Sequence, residues 1–262
     1  MDHKDVKKYW EENAENWTKL SRMGYDIYRD YINTPEFFKI LPKISGLKGL
    51  DIGCGEGYNT RIAADRGAKM TAVDISNIFI KNAIELEMKH PRGIKYQVAN
   101  GINLPFENET FDFVMSTMSF MDMKESEQSF KEAYRVLKNA GFFQFSITHP
   151  CFNSSFLERI KDNDNKNLKG FVIGNYFNEN QEDIEEWIFS AAPVDITKNM
   201  RKFRVPRFHK TLSNWLNTLI NIGFTLERFS EPYPDAKALE KYPNLKSSFL
   251  IPWSLIIQCR KY

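Results

Sequence analysis

The sequence predicts a doubly wound α/β sheet. Three observations carry that reading. Short apolar segments alternate with amphipathic helical ones from residue 49 to residue 148, the rhythm of strand–helix–strand units in a mainly parallel sheet. The links between them are short. The first apolar segment also runs directly into a glycine turn, GLDIGCGEGYN at 49–59, from which a helical pattern emerges, as where a strand hands the chain to a helix beneath a bound ligand.

GLDIG (49–53) reads as the first buried strand and NTRIAADRG as a helix ended by Gly67. AKMTAVDI (68–75) is the second strand. Ser76 is placed to cap the helix NIFIKNAIELEMKH, which stops before Pro91 because the residue ahead of a proline avoids helical backbone. IKYQVAN (94–100) and FDFVMSTM (111–118) are the third and fourth strands. EQSFKEAYRVLKNAG follows as an amphipathic helix with Phe130, Tyr134 and Leu137 on one face. GFFQFSIT (141–148), apolar on both faces, is the fifth and a central strand. After His149 the rhythm breaks, and residues 150–208 alternate aromatic or aliphatic with polar residues, the pattern of short, half-exposed antiparallel strands. TLSNWLNTLINIGF resumes as a helix closed by Gly223, TLERFSEP is a strand, and FLIPWSLIIQCRKY is the last, with Pro252 implying an edge position or a bulge. KKYWEENAENWTKL and GYDIYRDYINTPEFF form an aromatic helical lead-in. The expected organisation is a helical cap over 1–44, a core of 45–149 and 209–262, and an inserted lid over 150–208.

At 262 residues the chain is long enough for one sizeable core. Its 21 Phe, 11 Tyr and 5 Trp argue against disorder. Lys and Arg number 36 against 34 Asp and Glu, and no long basic tract occurs, so a small-molecule substrate is expected rather than an extended nucleic-acid surface. The start lacks the apolar stretch of a signal peptide, and no uncharged apolar run approaches the roughly 20 residues of a membrane span. A cytoplasmic protein with no membrane association is expected. Cys54, Cys151 and Cys259 are far apart, with no CxxC or HxxxH spacing, so neither a disulfide framework nor a metal site is expected. KDNDNKN (161–167) alternates acids and amides like a calcium loop but lacks the glycine and closing glutamate, and reads as a solvated loop.

The turn brings backbone N–H groups close to a ligand, and glycine is needed where side chains would collide with it. Asp74 ends the next strand, where a carboxylate accepts hydrogen bonds from both ribose hydroxyls of a nucleoside. A dinucleotide turn follows G-x-G-x-x-G. Here the spacing is Gly53-x-Gly55-x-Gly57, and Tyr58 stands where the third glycine would fall. The phosphate-loop signature is absent as well. The turn suits a nucleoside without a diphosphate.

LDIGCGEG, Asp74 in TAVDIS, VANGINLPFENETFDFVMS and AYRVLKNAGFF resemble, in order and spacing, the successive motifs of class I S-adenosylmethionine-dependent methyltransferases, in particular the small-molecule (type 11-like) branch. The likeness is strong over 45–148 and extends to FHKTLSNWLNTLINIGFTLERFSEP. It implies a seven-stranded Rossmann-like sheet with the last strand antiparallel, and S-adenosylmethionine lying over the carboxyl ends of the first strands. On that pattern Asp51 organises the loop and the methionyl amine, and Gly53 and Gly55 pass beneath the methionine portion, with Cys54, Gly57 and Asn59 completing the loop. Asp74 holds the ribose and Ile75 meets adenine. Where the family often has an acidic residue stands Asn100; its amide carbonyl can still accept from the adenine amino group, and the N–H groups of Gly101 and Ile102 can address ring nitrogens. Ser116 and Thr117 lie beside the methionyl group.

Methyl transfer from a sulfonium is an in-line displacement, so alignment supplies much of the rate, and a base is needed only where the acceptor must lose a proton. His149, at the end of the fifth strand, and His209 are the candidate bases and substrate contacts; the bland roles are a turn-bonding histidine before Pro150 and an exposed helix-start residue. Tyr176 and Trp187 are candidate substrate walls, or else the core of a small sheet. In the lead-in, Trp17, Tyr25, Tyr28 and Arg29 are placed to close over the site, Tyr25 and Arg29 on the cofactor, with Arg29 pairing its carboxylate, and Tyr28 on the substrate. Cys54 reads as packing, since only glycines and Glu56 stand near it. The expected activity is transfer of a methyl group from S-adenosylmethionine to a metabolite-like small molecule, without a metal. The alternatives are an RNA or tRNA base methyltransferase, for which STMSFMD lacks the usual Asn/Asp-Pro-Pro-aromatic motif, an NAD oxidoreductase, and a non-catalytic binding module.

Overall fold

Asp2 starts the first helix. Its carboxylate accepts the N–H groups of Lys4 and Asp5 while the Asp5 carboxylate takes the Asp2 N–H, a capping box that launches α1 (His3–Arg22). The computed structural model describes residues 1–162, 164, 167–179 and 182–262. A π-helical turn, Arg29–Asn33, leads into α2 (Thr34–Ile40).

The alternating pattern then unfolds as β1 (Lys48–Ile52), α3 (Tyr58–Asp65), β2 (Lys69–Asp74), α4 (Asn77–Lys89), β3 (Lys95–Val98), β4 (Phe111–Thr117), α5 (Ser126–Val136) and β5 (Leu137–Thr148). Two hairpins follow, β6 (Phe156–Lys161) with β7 (Leu168–Gly174), and β8 (Glu182–Trp187) with β9 (Phe203–Phe208), the second pair flanking the short α6 (Val194–Thr197). α7 (Leu212–Ile222), β10 (Phe224–Ser230), α8 (Ala236–Lys241) and β11 (Ser254–Lys261) complete the chain.

Seven strands form one sheet in the order β10-β11-β5-β4-β1-β2-β3. β1 to β5 run parallel, and β11 lies antiparallel between β5 and β10. Alternation along the central strands sends side chains to opposite faces. Val114, Phe143, Phe145 and Ile257 pack with Phe130 of α5 and Trp215 and Leu219 of α7, whereas Phe113, Met115, Phe142 and Ile256 pack with Phe37 and Phe38 of α2 and Ala63 of α3. Both faces are therefore covered, and the ligand end is left at the carboxyl termini of β1, β2 and β4.

The doubly wound sheet with an antiparallel last strand is as the resemblance implies. Two details differ from the sequence reading. The helix expected to run to Gly141 ends at Val136, and Leu137 already pairs with Phe111; a register shift and Ala140 at φ +60 take up the intervening residues. Apolar periodicity alone does not separate a buried last helical turn from a buried first strand residue. Pro252 lies outside β11, which begins at Ser254, so the missing N–H costs the ladder nothing and the strand sits in the interior rather than at an edge. Asn163, Asn165 and Lys166 of the KDNDNKN segment lie outside the described residues, as do Asn180 and Gln181.

α1 packs against both ends of the ligand side. Asn13 bridges to β9, donating to the Arg204 carbonyl (2.8 Å) and accepting its N–H (3.0 Å), and Trp17 sits edge-on to Trp187 and Phe189 and tilted against Phe203. No helix of the described residues is long and apolar enough to cross a membrane.

Candidate active site

β1 delivers the chain to the glycine turn at the sheet's carboxyl end. All three glycines adopt the left-handed region, at φ +72, +55 and +82 for Gly53, Gly55 and Gly57. Their reasons differ. A Cβ on Gly53 would lie 2.5 Å from Ser119 Oγ and one on Gly57 only 2.4 Å from Tyr96 Oη, whereas one on Gly55 would meet nothing within 4 Å. Gly55 thus opens onto free space and Gly57 serves packing at the start of α3. The space is a cavity of about 1020 Å³ that reaches from the turn to the β8–β9 hairpin.

Asp74 anchors the turn's far side. Its two carboxylate oxygens accept the N–H groups of Gly55 (2.8 Å) and Ser76 (2.9 Å), and burial nonetheless pushes its pKa up to about 6. Ile75, Asn100, Gly101 and Ile102 line the same end, where the Asn100 side-chain oxygen accepts the Ile102 N–H at 3.2 Å and keeps one lone pair free. Cys54 also lines it; burial drives its thiol well above the usual range, which suits packing and not nucleophilic use. Asn59 accepts from Thr34 Oγ1 (2.9 Å) and donates to Thr117 Oγ1 (2.8 Å), tying α2, α3 and β4 together where both Asn59 and Thr117 face the cavity.

Three residues assigned to the cofactor from sequence lie behind this wall. Asp51 is fully buried, accepts the Thr60 hydroxyl at 2.6 Å, leaves Oδ1 without a partner among the described residues, and is pushed up to about 7 by burial. Ser116 donates to the Ile52 carbonyl (2.7 Å) and shares a hydrogen bond with Ser119, pinning β4 to β1. Gly57, as described, meets Tyr96. None of the three lines the cavity.

From the lead-in, Tyr25, Tyr28 and Arg29 do line it. Arg29 is already engaged: its guanidinium lies over the Tyr58 ring at 3.7 Å, donates to Asp30 (2.8 Å) and Ser21, and stands 3.8 Å from both Asp26 and Glu56. Glu56 in turn takes Arg22 (3.0 Å) and Arg61 (3.1 Å). Sequence reasoning missed Glu11 of α1, whose carboxylate accepts the Ser76 hydroxyl (2.9 Å) and the Asn77 (2.8 Å) and Ile78 (3.1 Å) N–H groups, capping α4 immediately after Asp74 and Ile75.

The other end of the cavity holds a cluster that the sequence reading also missed. Asp122, in the segment after β4, pairs with Arg207 of β9 at 2.6 Å, and Arg207 Nε reaches Glu185 of β8 at 3.1 Å. Asp122 and Arg207 are buried, all three line the cavity beside Trp187, and burial raises Asp122 to about 7 against the pull of Arg207.

Neither candidate base, His149 or His209, lines this cavity. His149 accepts the Cys151 N–H on Nδ1 (3.2 Å) and meets Glu231 through Nε2 (2.8 Å), with burial lowering its pKa, so it bonds its own turn, the bland role. His209 stands 3.5 Å from Asp183 and lines a separate hollow of about 20 Å³. Tyr176 accepts the Leu212 N–H at 2.9 Å at the start of α7 and is likewise outside the cavity, unlike Trp187.

Residues 50–145 match the methyltransferase-domain family, the stretch that holds the turn, Asp74, Asn100 and Asp122. Over these residues the chain carries a methyltransferase domain. An uncharacterised protein of Haemophilus influenzae is 25% identical over 78% of this chain and 77% of its own length. Demethylmenaquinone methyltransferase of Tropheryma whipplei is 32% identical over 39% of this chain and 42% of its length, and sterol methyltransferase-like 3 of Botryococcus braunii is 34% identical over 41% of this chain; the chain thus spans under half the length of these two named relatives, 29% in the latter case. The crystal structure of an S-adenosylmethionine-dependent methyltransferase from Mesorhizobium loti shares the fold at a TM-score of 0.70, with 24% identity over 87% of this chain and 96% of that one. The residues at this end of the cavity fit a nucleoside: a cradle at Gly55 that no Cβ fills, a carboxylate at Asp74 facing the cavity, and an amide oxygen at Asn100 with one N–H on it.

Proposed function

We propose that this methyltransferase moves the methyl group of S-adenosylmethionine to a small molecule held between the glycine turn and residues 150–208, which act as a lid. One observation carries this reading: a single cavity joins the turn to Asp122 and the β8–β9 hairpin. Its volume of about 1020 Å³ stands at the top of the roughly 300–1,000 Å³ typical of one drug-sized ligand, room for donor and acceptor together. The relatives named for demethylmenaquinone and for sterols support an acceptor of small-molecule size.

In this reading the Asp74 carboxylate accepts the ribose hydroxyls, Ile75 and Ile102 flank the adenine, and Asn100 accepts from its amino group. Thr117 and Asn59 face the methionyl portion, with Tyr25 and Arg29 closing over it from the lead-in. Bound there, the cofactor supplies an electrophilic methyl carbon. The chain supplies alignment, which can provide much of the acceleration of an in-line displacement, and the aromatic hairpin excludes water. Isothermal titration is expected to show S-adenosylmethionine or S-adenosylhomocysteine binding in the micromolar range, with Asp74→Ala weakening it by roughly 1–3 kcal/mol. Unchanged affinity in that variant would remove Asp74 from the site. A labelled-methyl assay then separates acceptors: label entering RNA but no metabolite would overturn the substrate class.

A further inference from the structure

The wall opposite the nucleotide end is built from one face of a hairpin. Trp187 pairs with Phe203, Glu185 with Val205 and Asp183 with Arg207. Residues two apart on a strand, and those directly opposite them, share a face. Glu185, Trp187, Val205 and Arg207 accordingly all line the cavity, and Asp122 meets them from the turn that follows β4.

A solvated charged face has no need to bury a guanidinium, and here Arg207 and Asp122 are 8% and 3% exposed. One guanidinium serves two carboxylates. Arg207 bonds Asp122 Oδ1 and Glu185 Oε2, while Asp122 Oδ2 and Glu185 Oε1 receive no hydrogen bond from the described residues. The cluster therefore holds one more carboxylate than cation, beside the Trp187 ring. Of the other Lys and Arg residues that line the cavity, Lys124, Arg159 and Lys246 are exposed, Lys124 is held by Glu182 at 2.7 Å, and Arg29 is engaged at the nucleotide end by Asp30, Asp26 and Glu56. An anionic acceptor would meet a cation already shared between two carboxylates. A purely apolar one would cover two carboxylate oxygens with nothing to bond them, which is costly. A cation gains from both the carboxylates and the aromatic ring.

Resting on the methyltransferase reading above, we infer that the acceptor is an amine, bound as its ammonium ion by Asp122 and Glu185 against Trp187, and that Asp122 takes its proton. The ammonium N–H gives its proton to Asp122 Oδ2, leaving a neutral amine. The nitrogen lone pair then forms the N–C bond as the S–C bond breaks and its electron pair stays on sulfur. The products are the N-methylammonium ion and the neutral thioether, and Asp122 returns its proton to water. Burial raises Asp122 toward neutrality, where a carboxylate can both accept and release a proton.

The test uses three probes of one shape on the full chain loaded with S-adenosylhomocysteine: 2-phenylethylamine, 2-phenylethanol and 3-phenylpropanoate, titrated calorimetrically at pH 7.5. The affinity for S-adenosylhomocysteine is measured beforehand, and failure at that step refutes the methyltransferase reading, not the amine assignment. The amine is expected to bind at least tenfold tighter than the alcohol or the carboxylate. Glu185→Gln and Asp122→Asn should each weaken it tenfold or more with S-adenosylhomocysteine affinity retained; Glu185 is only half-buried, so its variant remains informative if the Asp122 variant does not fold. Equal or tighter binding of the alcohol or the carboxylate, binding of none of the three, or amine affinity unmoved in Glu185→Gln overturns the assignment.

Discussion

With Asp74 accepting the ribose hydroxyls as proposed, cofactor affinity becomes a function of pH, and the size of the effect follows from its surroundings. The carboxyl is 8% exposed, and burial outweighs the two backbone N–H groups it accepts, lifting its pKa from 3.8 to about 6. Ribose hydroxyls donate to the ionised form, so binding draws on that form alone. Its fraction is 1/(1 + 10^(pKa − pH)). At pH 8 nearly all the carboxyl is ionised; at pH 5 roughly one molecule in 11 is, an affinity loss of about 1.4 kcal/mol. The sign is fixed: a carboxyl whose pKa is raised in the empty site and lowered by the ligand gives affinity that falls as pH falls through 6. Titration of S-adenosylhomocysteine from pH 8 to pH 5 should therefore show about a tenfold rise in Kd. Asp74→Asn binds more weakly throughout but loses the slope between pH 7 and 5. A flat wild-type profile would refute the argument, and a slope that persists in Asp74→Asn would assign the proton to Asp26 or another buried acid.

Asp51→Asn keeps an acceptor for the Thr60 hydroxyl but removes a buried acid whose pKa is raised to about 7. A raised carboxyl pKa stabilises the fold at low pH and that contribution is lost as pH rises through it, so urea midpoints should favour the variant progressively from pH 5 to pH 8. Glu11→Ala uncaps α4 from a distance and should cost about 1–2 kcal/mol in urea unfolding; a change within 0.3 kcal/mol would show water replacing it. Gly57→Ala forces a left-handed alanine into Tyr96 and should destabilise by roughly 1–3 kcal/mol, while the same change combined with Tyr96→Phe should recover part of the loss. His149→Gln should leave the pH dependence of methyl transfer unaltered, because His149 lies outside the cavity; loss of an ionisation near neutrality would restore it as a base.

What was legible in the sequence was local. Strand, turn and helix follow from neighbours a few residues apart, so the sequence alone places GLDIGCGEGYN and Asp74 on one edge of a sheet. The errors at the site come from the same periodicity applied too loosely. Ser116 and Thr117 are consecutive in β4 and must point to opposite faces; both were assigned to the cofactor, and only Thr117 faces the cavity. Asp51 likewise points away from a site that its neighbour Ile52 lines. His149 was placed correctly at the end of β5, but Glu231, its partner, comes from beyond β10. Asp122, Glu185 and Arg207 lie on three segments, with Arg207 and Asp122 85 residues apart in sequence. Charged residues at inward hairpin positions look, in one dimension, like the exposed half of an alternating strand.

The two ends of the cavity are joined mechanically by α1. Glu11 caps α4 beside Asp74, Asn13 exchanges two hydrogen bonds with the Arg204 backbone in β9, Trp17 fills the aromatic cluster beneath Trp187, and Arg22 bonds Glu56 in the glycine turn. The two outer attachments, Glu11 and Arg22, lie at the nucleotide end, and the two between them, Asn13 and Trp17, at the acceptor end of one helix. A shift of α1 sufficient to free Glu11 from α4 therefore strains the Asn13 bonds to β9, the strand that carries Arg207. α1 is thus the element that touches both ends of the cavity, while the strands of the sheet are packed on both faces by the two halves of the core.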